Sequence, residues 1–181
     1  MNDQWPRYEV FKQERDGGPF RNVGSVHAPD AEMALLNARD VFARRPACRS
    51  LWVVPAAAIV AATMVAATMV AHTTGDAEPA GAPGPLEAYA VCGKQSERQA
   101  MTYVDYLGRV EARSAAEALR AAPALGAARI WWVFPERVIS RSDPEDAPGL
   151  EAATGKLFRM SNQYHTVVTM QKIRRGDEGE E

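Results

Sequence analysis

Apolar residues recur at helical spacing through Ala31, Ala34, Leu35, Ala38, Val41 and Phe42, which predicts a helix within the stretch His27–Asp40. Its start is written into the chain: Pro29 lacks a backbone donor, and Asp30 can accept a hydrogen bond from the first free amides. Pro46 stops it, after Arg44 and Arg45 have placed positive charge on the negative end of the helix dipole. Upstream, Tyr8-Glu9-Val10-Phe11 alternates as a strand does, and Asp16-Gly17-Gly18-Pro19 supplies a turn. Phe20 to Val26 completes a hairpin leading into the helix. Downstream, Leu51-Trp52-Val53-Val54 is a short apolar run suited to a strand buried on both faces.

The same order returns later. Tyr89 to Cys92 and Tyr103 to Val110 read as strands, and Ser114 takes the capping place of Asp30. Ala115, Ala118, Leu119 and Ala122 follow before Pro123, and Ile130-Trp131-Trp132-Val133-Phe134 reads as a strand. Trp132-Val133-Phe134-Pro135 answers Trp52-Val53-Val54-Pro55, and Ile139 answers Ile59. The fold class expected is therefore α+β: two similar β-β-α-β units, each a small sheet with one helix on a face, packed as a pseudo-dimer. The boundaries expected are 1–71 for the first unit, 72–85 for a Gly- and Pro-rich linker, 86–175 for a divergent second unit and 176–181 for a disordered acidic tail.

Between the units Ala-Ala-Thr-Met-Val occurs twice in succession, and Leu51 to Ala71 carries no charge. That length reaches the threshold of about 18 residues for a membrane span. Pro55 breaks the run, however, its first part is better explained as a strand, and Ala and Thr gain little in lipid. The expectation is an Ala-rich helix over 56–71, lying on the protein or a partner through Ile59, Val60, Met64, Val65 and Met69. A further strand is expected within Tyr164–Ile173 from its Thr and Val content.

Charge and chemistry narrow the reading. With 21 Lys+Arg against 23 Asp+Glu, nothing favours a phosphate backbone, so no nucleic-acid partner is expected. Cys48 and Cys92 have no paired spacing and read as reduced thiols. The N-terminus lacks the pattern of a signal peptide, so a cytoplasmic protein without a membrane anchor is expected. His27, His72 and His165 have no second ligand at metal-binding spacing, and neither a phosphate-cradling loop nor a nucleophile elbow occurs. Trp131 and Trp132 must point to opposite faces of their strand, so at least one needs cover. Met33 and Leu36 fall off the core stripe of the first helix and become candidates for an intermolecular contact.

Trp5-Pro6-x-Tyr8-Glu9-Val10-Phe11, Val23-Gly24-Ser25-Val26-His27-Ala28, Asp30-Ala31-Glu32-Met33-Ala34-Leu35 with Asn37-Ala38-Arg39-Asp40-Val41, and Trp52-Val53-Val54-Pro55 closely resemble the B subunit of phenylacetyl-CoA epoxidase (phenylacetate-CoA oxygenase), the PaaB family. The end of the same family resembles Trp132-Val133-Phe134-Pro135 through Ile139, Ser140 and Pro144, then Lys156-Leu157-Phe158-Arg159. The usual member is about half as long, so the chain resembles two copies in tandem. The resemblance implies a non-catalytic bridging subunit of a multicomponent monooxygenase that epoxidises the ring of phenylacetyl-CoA in aerobic phenylacetate degradation. It implies as partners a catalytic di-iron subunit and a scaffold subunit, with a flavin and iron–sulfur reductase as a further candidate. No iron, zinc or flavin is expected in this chain, and the resemblance carries over no catalytic residue. The expected partner interface comprises Trp5, Met33, Leu36, Arg39, Arg44, Trp52 and Arg159, and the free chain is expected to be a monomer. Two rivals compete with this reading. One is a small cofactor-independent enzyme of the dimeric α+β barrel type, acting on an aromatic degradation intermediate with His27 or Asp105 as acid or base. The other is a membrane-tethered adaptor using Ala56 to Ala71.

Overall fold

The structure is a computed structural model that describes residues 4–43, 48–65, 68–73, 84–96 and 103–143, together with Glu145 and Leu150. The first stretch with the expected order of strand, strand, helix and strand consists of β1 (Arg7–Gln13), β2 (Phe20–His27), α1 (Ala31–Ala38) and β3 (Ser50–Pro55). The second is present as β6 (Glu87–Lys94), β7 (Asp105–Ala112), α2 (Ala115–Ala121) and β8 (Ile130–Pro135). Between them run β4 (Val60–Val65) and β5 (Thr68–Thr73), and β9 (Ser140–Arg141) follows β8.

All these strands belong to one antiparallel sheet of nine strands in the order β5-β4-β8-β6-β7-β2-β1-β3-β9, rather than to the separate small sheet expected for each unit, because β2 pairs with β7 and β4 and β9 cross over. The β1–β2 hairpin turns at Gly17, whose φ of 69° lies in the left-handed region that glycine enters without strain. The Gly18 amide closes the turn by donating to the Arg15 carbonyl at 2.9 Å.

The chain crosses between units twice. After β3 a single turn of 3-10 helix, Ala56–Ala58, leads β4 onto the edge of β8, where Val60 faces Val133 and Ala61 faces Trp132. After β8 a matching turn, Glu136–Val138, leads β9 onto the edge of β3, where Ser140 faces Val53 and Arg141 faces Trp52.

Alternation along the strands sorts the apolar side chains into three layers. Tyr8, Val10, Leu51 and Val53 pack beneath α1 with Ala34 and Ala38. Tyr89, Val91, Trp131 and Val133 pack beneath α2 with Ala118 and Leu119. The opposite faces share a third layer of Phe11, Trp52, Val54, Ile59, Ala90, Cys92, Val104 and Phe134. In a flat sheet β1 and β8, four strands apart, would lie roughly 19 Å from each other at ~4.8 Å per strand. The Phe11 and Phe134 rings are 5.7 Å apart, so the sheet curls until its inner faces meet. Trp131 and Trp132 are both covered, the first in the α2 layer and the second beside the shared layer.

The Ala-rich segment is not a helix. The first Ala-Ala-Thr-Met-Val lies in β4 and the second contributes to β5, paired through Thr63 with Val70 and Met64 with Met69. Alanine's helix propensity is a weak preference, whereas β8 presents an open edge whose backbone groups need partners. The β-branched Val60, Thr63 and Val65 suit the strand that fills it. His72 and Thr73, expected in the linker, belong to β5, and the Gly84 amide is anchored to the Arg113 carbonyl at 2.9 Å. Residues 74–83, the strand expected within 164–173 and the acidic tail lie outside the described residues. Among the described residues no helix is long and apolar enough to cross a membrane.

Candidate functional site

The exposed face of α1 and the segment that crosses it form the candidate site. Asp30 caps the helix by accepting the Met33 amide at 2.8 Å, and the Asn37 side chain donates to the His27 carbonyl at 3.2 Å, fixing the helix against the end of β2. Ala34 and Ala38 are fully buried, and the same periodicity turns Met33 and Leu36 outward, 42% and 44% exposed. Beyond Ala38 the backbone opens into a wider π-helical turn, Arg39–Ala43. Val41, expected on the core stripe, is 63% exposed because this turn breaks the 3.6-residue period. Phe42 keeps its inward place, and its ring lies where a side chain at Gly24 would collide, 3.0 Å from an added Cβ.

A groove of about 470 Å³ runs beside this face, lined by Glu32, Leu35, Leu36 and Arg39 of the helical segment, by Leu51 of β3, and by Arg141, Ser142, Asp143, Glu145 and Leu150. The crossing segment is pinned to β3: the Ser142 amide donates to the Leu51 carbonyl at 2.9 Å, and its hydroxyl accepts the Leu51 amide at 3.0 Å. Leu150 is buried in the α1 layer. Arg39 lies 3.6 Å from Asp40, and the Arg141 guanidinium sits 4.9 Å over the Trp52 ring.

Of the residues expected at a partner interface, Leu36 and Arg39 line the groove, and Met33 is exposed on the same helix without lining it. Trp5 is exposed just before β1 but does not line the groove. Trp52 is 7% exposed and faces inward, stacked on Phe20 at 3.7 Å and edge-on to Tyr106 at 5.3 Å, so it holds the two units together rather than meeting a partner. Arg44 and Arg159 lie outside the described residues.

The residues of the enzymatic rival do not converge. His27 is exposed at one end of β2, while Asp105 pairs with Arg21 at 2.9 Å near the other end, six strand residues or roughly 20 Å away. Among the described residues no group of three His, Cys, Asp or Glu could hold a metal ion. Both cysteines are free and buried; burial pushes the Cys48 thiol up to about 11 and raises Cys92 as well, which disfavours the reactive thiolate.

Two buried charges escape the sequence pattern. Glu9, 8% exposed, accepts a hydrogen bond from the Asn22 side chain at 3.0 Å and lies 3.4 Å from Arg7, and burial raises its carboxyl above the ordinary range. Lys12 is buried on the opposite face of β1, with its ammonium 3.2 Å from Glu14. Their burial leaves no mark in the sequence, because β1 also carries the polar Arg7 and Gln13, exposed and half-buried at its ends.

Residues 4–76 match the family described as Phenylacetic acid degradation B, PaaB. The B subunit of the 1,2-phenylacetyl-CoA epoxidase of Escherichia coli (strain K12) is 53% identical over 60 residues, which make up 33% of this chain and 63% of that protein. The chain thus spans less than two thirds of the length of that curated relative. No solved structure matches the chain. The matched residues contain all of α1 and its π turn, whereas Arg141, Ser142, Asp143, Glu145 and Leu150, which form the opposite wall of the groove, lie beyond them.

Proposed function

We propose that the chain is a non-catalytic assembly subunit of a multicomponent di-iron monooxygenase that epoxidises the ring of phenylacetyl-CoA in aerobic phenylacetate degradation. The observation that carries this reading is the PaaB match over residues 4–76, together with a relative that is the B subunit of such an epoxidase. In this reading the catalytic subunit holds the iron, a reductase supplies flavin and iron–sulfur centres, and this cytoplasmic chain joins the catalytic and scaffold subunits through protein contacts.

The chain is further a tandem duplication whose halves act as a pseudo-dimer. Support comes from register. Val10 faces Gly24 across β1–β2 with an irregularity after Val10; Val91 faces Gly108 across β6–β7 with an irregularity after Val91. Exchanging the units carries the Val60–Val133 pair onto Ser140–Val53, and Ala61–Trp132 onto Arg141–Trp52. Arg21 and Asp105 occupy equivalent places in β2 and β7 and pair with each other, as residues beside a two-fold axis do. Fusion makes the association intramolecular, at an effective concentration on the order of millimolar for a short flexible linker. The free chain is then a monomer, and one chain stands where the family uses two. Co-expression with the oxygenase subunits of its own host, followed by light scattering of the free chain and the purified complex, tests both points. Failure to co-purify would refute the assembly role; a free dimer, or two chains per pair of catalytic subunits, would refute the replacement.

A further inference from the structure

We infer that docking is one-sided: the exposed face of α1 together with the groove beside it takes a segment of an oxygenase subunit with apolar anchors flanked by Lys or Arg, and the corresponding face of α2 takes none. This rests on the assembly role proposed above. The two helices provide an internal comparison. Met33 is the third residue after the Asp30 cap and Glu117 the third after the Ser114 cap, each amide donating to its cap at 2.8 and 3.2 Å. Three residues on, Leu36 corresponds to Arg120. Where α1 exposes two apolar side chains, α2 carries two charges, and both are engaged locally. Glu117 accepts the Arg113 amide at 2.8 Å, and Arg120 donates to the Ala116 carbonyl at 3.2 Å. Equivalent positions in one chain thus differ in the property that decides whether a helix face sheds water onto a partner.

Charge specifies the occupant. Leu35 and Leu36 give the groove an apolar lining over the buried Leu51 and Leu150, while Glu32, Asp143 and Glu145 stand on it as carboxylates. Against these carboxylates stand two arginines, Arg141 and Arg39, the latter 3.6 Å from Asp40, so the acids outnumber the bases along the lining. A segment with aliphatic anchors and flanking cations complements that surface, and one with flanking carboxylates is repelled. The opposite wall, formed by Arg141, Ser142, Asp143, Glu145 and Leu150, comes from the chain after β8, so the completed groove requires both halves.

The test uses the full chain and the purified catalytic and scaffold subunits of its own host, with affinity and stoichiometry measured by sedimentation. Writing the α2 residues into α1, as Met33→Glu with Leu36→Arg, is expected to weaken binding at least tenfold while the circular dichroism spectrum and Tm stay unchanged. Glu32→Lys is expected to weaken it as well, and Arg120→Ala to leave it unaltered, with one partner bound per chain. Undiminished binding by the α1 double variant would overturn the groove while leaving the assembly role standing. Loss on Arg120→Ala, or two partners per chain, would overturn one-sidedness. Absence of binding by the unaltered chain would remove the assembly role and this inference together. A chain ending at Leu150 that binds more tightly would show that its own tail fills the groove, which overturns the choice of occupant.

Discussion

At Glu9 the inner face of a strand carries a carboxyl where the matching residue of the second unit is Ala90, a member of the shared apolar layer. Burial is the largest influence on it and raises its pKa above the ordinary 4.5; the Asn22 hydrogen bond and the Arg7 charge act in the opposite direction. A folded-state pKa above the unfolded value means that the fold favours the protonated acid. The stability that this preference contributes is present below about pH 4.5 and is lost as pH rises through the folded-state pKa. Glu9→Gln keeps an acceptor for Asn22 and removes the charge. Its Tm should equal that of the unaltered chain near pH 4 and exceed it at pH 8, each unit of pKa shift being worth about 1.4 kcal/mol. Equal melting temperatures at both pH values would show that Arg7 and Asn22 already offset the burial. This site is illegible in the sequence because an isolated Glu in an alternating strand reads as its wet face, and only the curl of the sheet makes that face an interior. Trp52 misleads for a related reason, since Phe20, Tyr106 and Arg141, which cover it, come from three distant parts of the chain.

Elements whose determinants are local are readable. The Asp30 and Ser114 caps, the Gly17 turn and the two Trp-containing strands all appear where proximal residues require them. Asp30→Ala should cost about 1 kcal/mol, because the Met33 amide would lose its acceptor at the start of α1. Urea denaturation checks the magnitude. Asp30→Asn, which retains an acceptor, should recover most of the loss, and equal destabilisation by both variants would assign the effect to charge instead of capping. The repeated Ala-Ala-Thr-Met-Val misleads because its conformation is decided by the open edge of β8, about seventy positions downstream, rather than by its own composition. Met33 and Leu36 are legible as surface residues from helical periodicity alone. The groove beside them is not, because its second wall arrives from beyond β9.

On the scale of the molecule, the reciprocal strands matter more than the direct seam between the units. The β2–β7 ladder contains the single pair Arg21–Asp105, supplemented by the Asn22 amide donating to the Val104 carbonyl at 2.9 Å. By contrast β4 contributes four register pairs to β8, β9 contributes two to β3, and Phe11, Phe134 and Trp132 close the layer between the units. A strand from each half thus covers the edge of a strand in the other, β4 on β8 and β9 on β3, where unpaired backbone groups would otherwise stand open. Separately expressed halves, 1–78 and 79–181, should accordingly fail to form folded monomers. When co-expressed without a covalent link they should purify as a one-to-one complex with the far-ultraviolet spectrum of the intact chain. Truncating the first half after Pro55, which removes β4, should abolish that complex even though β1, β2, α1 and β3 remain. A half that folds cooperatively as a monomer, or a complex that survives the truncation, would show that the units are self-sufficient domains and that the exchanged strands are incidental to their association.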